Sequence, residues 1–200
     1  MRIKDTATFS FYFFRLFFSI DDYFRYAINN ISFQSVFIWL ELSLVVAIFA
    51  VVLYQKGKIK LITCITFPLL VLYLSFVTTI TIVSRVPSFD ARYNLLLFWS
   101  YKAIASGQSV LIAQVFWNVV LFIPIGILLM SILTCKHKGK ISFVIGLLLS
   151  ASIELVQLFS HRGFFEFDDI IHNTLGVVIG IALYNIVSSI VKRLTLKRVA

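Results

Sequence analysis

Five uninterrupted apolar runs dominate the chain: Phe33 to Tyr54, Leu61 to Val83, Val110 to Leu133, Ile141 to Phe159 and Ile170 to Val191. Each is close to the roughly 20 residues that an α-helix needs to cross the hydrocarbon core of a bilayer. None alternates with the period of two expected of a barrel strand, and lipid offers open backbone groups no partner, so helices are the spanning elements they predict. Composition excludes the rival classes. At 60% hydrophobic and 14% charged over 200 residues, the chain has too little polar surface to clothe a soluble core,. It also has too little charge to remain disordered. The fold class is therefore an all-α integral membrane protein, a bundle of about five transmembrane helices.

Residues 1–32 precede the first run. Within them FSFYFFRLFFSI, Phe9 to Ile20, is strongly apolar but only 12 residues long, carries Arg15 in its middle and is followed by Asp21 and Asp22. It is too short to span comfortably and no small-residue cleavage site follows, so it reads as an aromatic helix lying in the membrane interface. A distorted sixth span is the alternative.

The formal net charge of +9 raises nucleic acid as a partner. The distribution argues against it, because the basic residues fall in small groups at the ends of apolar runs rather than along one face. Lys56, Lys58 and Lys60 mark one short loop, Lys136, Lys138 and Lys140 another, and Lys192, Arg193, Lys197 and Arg198 the tail at 192–200. Five spans bring all three to one side, which the positive-inside rule makes cytoplasmic. The loops Ser84 to Ser109 and Ser160 to Asp169 then face outward, while Arg2, Lys4, Arg15 and Arg25 lie on the minority side. Cys64 and Cys135 give neither a disulfide framework nor metal spacing and read as inert thiols.

A charge at the centre of a span costs about 2.5 to 3.5 kcal/mol on insertion scales, so each polar side chain there needs a partner or a purpose. Glu41, Gln114, Asn118, Glu154 and Gln157 are the intramembrane cases. Glu154, Gln157 and His161 share a helical face, with Ser150 one turn earlier. Asp168 and Asp169 open the last span, where carboxylates suit a helix N-terminus. Asn173, Gly176, Gly180 and Tyr184 share a face of that span, and Gly176 with Gly180 permits close helix approach. Pro124, followed by Gly126, frees the Val120 carbonyl and bends the third span. Asn118, Glu154, Gln157, Arg162, Asp168, Asp169 and Asn173 all fall toward the outer ends of their helices, where Arg92 and Asn94 of the outer loop can join them. One polar cluster at or just below the outer surface is the expectation.

These residues, in this order, resemble the VanZ-like family of bacterial membrane proteins. The matching pieces are Arg92 and Asn94 in RYNLLLF, Asn118, Phe122, Pro124 and Gly126 in NVVLFIPIG, and Glu154 and Gln157 in SIELVQLF. Arg162, Asp168, Asp169, Asn173, Gly176 and Gly180 follow in HRGFFEFDDIIHNTLGVVIG. Leu96 and Leu97 depart from the pattern, standing where the family often has a turn with Pro before Phe. Residues 84–191 then form a VanZ-like core of outer loop plus three helices, preceded by two helices in 33–83. The resemblance implies a multi-pass protein of the cytoplasmic membrane of Gram-positive bacteria, in a family whose founding member is linked to low-level teicoplanin resistance.

Each candidate also has a purely structural reading. Arg162 with Asp168 and Asp169 forms either a salt bridge closing a tight outer loop or a recognition site for a charged headgroup. One carboxylate suffices for capping, so Asp169 is assigned the cap and Asp168 the function. Glu154 is either functional or paired with Arg92 or Arg162. Gln157, Asn118 and Asn173 are read as interhelical hydrogen bonds, and Pro124, Gly126, Gly176 and Gly180 as packing or bending positions. Glu154, His161, Asp168, Asp169 and His172 lie near one another in sequence without diagnostic ligand spacing, so neither a metal nor a cofactor is assigned.

The leading functional expectation is a cell-envelope protein with an outward-facing polar pocket. Its partners would be membrane lipids and a lipid-linked cell-wall precursor or lipoglycopeptide, and it would contribute to teicoplanin-type resistance. The alternatives are a membrane enzyme on a lipid-linked substrate, with Glu154 or Asp168 as general acid or base and His161 as proton partner, and a small transporter. No catalytic motif is recognisable.

Overall fold

A computed structural model describes residues 31–87 and 92–199. The interfacial helix expected at Phe9 to Ile20 lies outside the described residues, as do the side chains of Arg92 and of residues 197–199. Helix α1 spans Phe33–Gln55 and α2 spans Leu61–Thr78, continuing through a π-helical stretch at Thr79–Val83. The connection that follows holds a short strand β1, Arg92–Asn94, and a short helix α3, Trp99–Ala105. Then come α4 at Val110–Ile132, α5 at Lys138–Phe159, strand β2 at Phe164–Glu166 and α6 at Phe167–Val199.

Five helices, α1, α2 with its π-helical end, α4, α5 and α6, are long and apolar enough to cross a membrane. They carry the five apolar runs of the sequence and form an all-α bundle. The described residues differ from expectation at both ends of the last span. α6 begins at Phe167, so Asp169 lies inside its first turn rather than capping it, and the helix continues through the basic tail to Val199. The lysine-bearing turns at Lys56–Lys60 and Lys136–Lys140 fall at one end of the bundle, and β1, α3 and β2 at the other.

The core lies where α2, α4, α5 and α6 meet. Val77, Phe122, Ile125, Ile153 and Val177 fill it. Contact is closest between α4 and α6, for which small residues are responsible,. A Cβ on Gly176 would strike the Val119 carbonyl, one on Gly180 the Ile123 carbonyl, and one on Gly126 the Val177 carbonyl. With hydrogen in place of methyl at all three, the two backbones meet directly. Pro124 lies within α4 and cannot donate to Val120,. One residue on, the Leu121 carbonyl accepts a hydrogen bond from the Tyr73 hydroxyl of α2 at 2.9 Å. α1 is peripheral: Ala50 is its buried residue, and its apolar side chains, together with Glu41, stand on the exposed surface.

Candidate functional site

At the loop-bearing end, β1 and β2 pair in parallel, with Arg92 opposite Phe164, Tyr93 opposite Phe165 and Asn94 opposite Glu166. This ties the α2–α4 connection to the α5–α6 connection. The second tie is Asp168. Its carboxylate accepts the backbone N–H of Phe98 at 2.6 Å, that of Ser100 at 3.0 Å and the Ser100 hydroxyl at 2.6 Å. Phe98 sits in the left-handed region with φ 61°, an unfavourable conformation for a bulky side chain,. The Asp168 bonds hold it there, at the start of α3. The Tyr101 hydroxyl and His172 Nε2 form a third tie, at 2.9 Å.

Arg162 acts in the same way from the other side. It donates to the carbonyls of Val83 at 2.7 Å and Arg85 at 3.2 Å, just beyond the π-helical end of α2, where a cation suits the exposed carbonyls,. The salt bridge expected between Arg162 and the aspartates does not form. Glu154, 1% exposed, accepts the Glu166 N–H at 3.0 Å, and Gln157 donates to the Thr81 carbonyl at 3.0 Å. Asn173 donates to Ser150 at 2.9 Å, joining α6 to α5. Asn118, expected to hydrogen-bond between helices, is buried with its amide nitrogen unpartnered among the described residues. His161 leaves the expected stripe because α5 ends at Phe159, and it stands exposed with φ 57°.

These ties frame a cavity of about 610 Å³ lined by Ile80, Ser84, Arg85, Tyr93, Asn94, Trp99, Leu111, Gln114, Phe164, Glu166 and Asp169. Of the nine residues assigned from sequence to the polar cluster, Asn94 and Asp169 line it; Glu154 and Asp168 stand behind it, holding backbone N–H groups. The geometry thus divides the aspartate pair opposite to expectation: Asp168 braces the start of α3 and Asp169 faces the cavity. The Gln114 amide spans the two lining carboxylates, at 3.1 Å from Glu166 Oε2 and 3.2 Å from Asp169 Oδ2. His172 Nδ1 lies 3.9 Å from Asp169 Oδ1.

Glu166, Arg85 and Trp99 were not among the residues singled out in the sequence. Glu166 stands alone between aromatic residues in FFEFDD, which is its one signal; Arg85 lies just beyond the second apolar run with nothing in the letters to set it apart from the other basic residues at span ends. Glu166 is 7% exposed, and burial, reinforced by the neighbouring Asp169 charge, pushes its carboxyl up to about 7. The Gln114 hydrogen bond and the Arg85 charge oppose that rise without cancelling it. Among the described residues no group of three or more His, Cys, Asp or Glu side chains has the arrangement to hold a metal ion.

A bundle with five apolar spans and, at its loop-bearing end, a cavity lined by two carboxylates and an arginine defines a multi-pass membrane protein. The family model described as VanZ/LLP1 matches residues 60–188, and the chain belongs to that family. Protein VanZ of Enterococcus faecium is 31% identical over 117 residues, covering 56% of this chain and 71% of that protein. No solved structure matches.

Proposed function

We propose that this VanZ-family protein resides in the bacterial cytoplasmic membrane and uses its outward-facing cavity to bind the polar headgroup of an amphiphile, altering how the cell surface handles it. The observation that carries this reading is the cavity itself. Arg85, Gln114, Glu166 and Asp169 converge there among Tyr93, Trp99 and Phe164, at the end of the bundle away from the lysine-bearing turns. Convergent polar groups in an aromatic-walled cleft are the usual form of a small-ligand site. The positive-inside rule makes that end external, where a lipid, a lipid-linked cell-wall precursor or a lipoglycopeptide of the teicoplanin type has access. Glu154 and Asp168, the general acid or base of an enzymatic reading, are both committed to backbone N–H groups. That commitment favours binding over catalysis.

The test is expression in a glycopeptide-susceptible Gram-positive host, with teicoplanin tolerance read alongside membrane abundance. Wild type raises tolerance, and Arg85→Gln and Asp169→Asn lose the effect at undiminished abundance. Tolerance unchanged by wild type, with no amphiphile co-purifying above the level of those variants, would overturn the proposal.

A further inference from the structure

Opposite charges share the cavity without closing on each other. Glu166 and Asp169, 7% and 6% exposed, are bridged by Gln114. Arg85 lines the same space, and its charge is felt at Glu166, yet among the described side chains it forms no ion pair with either carboxylate. Gly163 contributes to this arrangement, since a Cβ there would come within 2.6 Å of the Arg85 guanidinium. A guanidinium and two carboxylates kept apart at one site leave both signs of charge available to a ligand.

The aromatic wall adds a second observation. The Trp99 indole N–H is buried with no hydrogen-bond partner among the described residues, although Trp99 lines the cavity. A buried donor of that kind costs free energy unless an acceptor reaches it. None of the described residues offers one, which leaves the donor for an acceptor that a ligand can supply. The faces of Tyr93 and Trp99 also suit a cation.

We propose that the cavity takes a zwitterionic headgroup of the phosphoethanolamine class, with Glu166 and Asp169 holding its primary ammonium and Arg85 and the Trp99 indole N–H holding its phosphodiester. This rests on the headgroup-binding reading above and specifies its chemistry. A primary ammonium has three N–H donors for the carboxylate pair; a quaternary one has none, and an anionic headgroup leaves the carboxylates unanswered. The same chemistry could come from a bilayer lipid or from free phosphoethanolamine.

Purified full-length chain in nanodiscs of mixed phosphatidylethanolamine, phosphatidylcholine and phosphatidylglycerol, released and weighed by native mass spectrometry, tests this. Phosphatidylethanolamine is expected to be retained roughly ten-fold over the other two, equivalent to about 1.4 kcal/mol. Glu166→Gln with Asp169→Asn abolishes that preference, Arg85→Gln lowers retention of both phosphatidylethanolamine and phosphatidylglycerol, and Glu41→Gln, a carboxylate removed outside the cavity, changes nothing. Excess free phosphoethanolamine displaces the lipid if the soluble headgroup is recognised and leaves it bound if the acyl chains are needed; the carboxylate-dependent preference supports the assignment in both cases. Phosphatidylglycerol retained equally well, and indifferent to the carboxylate variants, would leave headgroup binding standing and overturn the ammonium assignment. Retention by wild type no greater than by Arg85→Gln would overturn both. Should the variants misfold, the preference of the wild type among the three lipids decides alone.

Discussion

The Asp168 carboxylate accepts the Phe98 backbone N–H at 2.6 Å across 70 residues of chain, fixing a left-handed Phe at the entrance to α3. Removing that acceptor leaves two backbone N–H groups and the Ser100 hydroxyl without their partner. Asp168→Ala is expected to cost about 3 kcal/mol, the scale of charge-assisted hydrogen bonds lost in a buried setting. The loss should appear as a lower melting temperature in detergent and faster hydrogen exchange at Phe98 and Ser100. Unchanged exchange there would show that α3 is held by other contacts.

Gly176 and Gly180 meet the backbone of α4, so enlarging either side chain must part the central helix pair. Gly176→Ala and Gly180→Ala are each expected to destabilise by about 1 to 3 kcal/mol, as overpacking of a tight interface does. Gly139→Ala is the control, because a Cβ there meets only Ile181 at an ordinary 3.9 Å. Thermal unfolding of the three variants checks the ranking.

Stability should fall with rising pH. Glu166 ionises at about 7 in the fold against an ordinary 4.5, because burial first and Asp169 second oppose its charge. A carboxyl harder to ionise in the folded state favours folding while protonated, and that advantage is lost as pH climbs from 4.5 through about 7,. Wild type should melt at lower temperature at pH 8 than at pH 5, and Glu166→Gln should flatten the difference. A wild-type profile no steeper than the variant's would assign the titration elsewhere.

Arg162 reaches two carbonyls, Val83 and Arg85, with one guanidinium nitrogen. Arg162→Ala is expected to cost about 1.5 to 3 kcal/mol, in line with hydrogen bonds from a charged donor. Lys, a point charge on a flexible stem, should recover part of it. Melting temperatures of the two variants in detergent give the comparison.

Orientation has a built-in probe. Cys135 is exposed in the turn between α4 and α5, at the lysine-bearing end, whereas Cys64 is buried. A membrane-impermeant maleimide should leave Cys135 unlabelled in intact cells and label it after lysis, while a cysteine placed at Gln108 should react in both. Labelling of Cys135 from outside would invert the topology and move the cavity to the cytosol.

The apolar runs dictated the bundle, because twenty contiguous apolar residues have few stable alternatives to a spanning helix. Glycine spacing in α6 announced close packing for a similarly local reason: the absence of a side chain is visible in the letters themselves. The family likeness was legible in the order of Asn118, Glu154, Arg162, Asp168 and Gly176, and the match over residues 60–188 bears it out.

Which polar groups stay available was settled elsewhere. Sequence alone placed Glu154, Arg162 and Asp168 near one another and could not say that all three would be committed to backbone groups, those of Arg162 and Asp168 on segments about 70 to 80 residues away. Nor could it bring Arg85 and Glu166, 81 positions apart by their numbering, into one cavity. Hydropathy and apolar length are additive properties of neighbouring residues, readable in order along the chain. The partner of a hydrogen bond is a relation between segments that only packing brings together, and here that relation separates the residues that brace the cavity from those that face it.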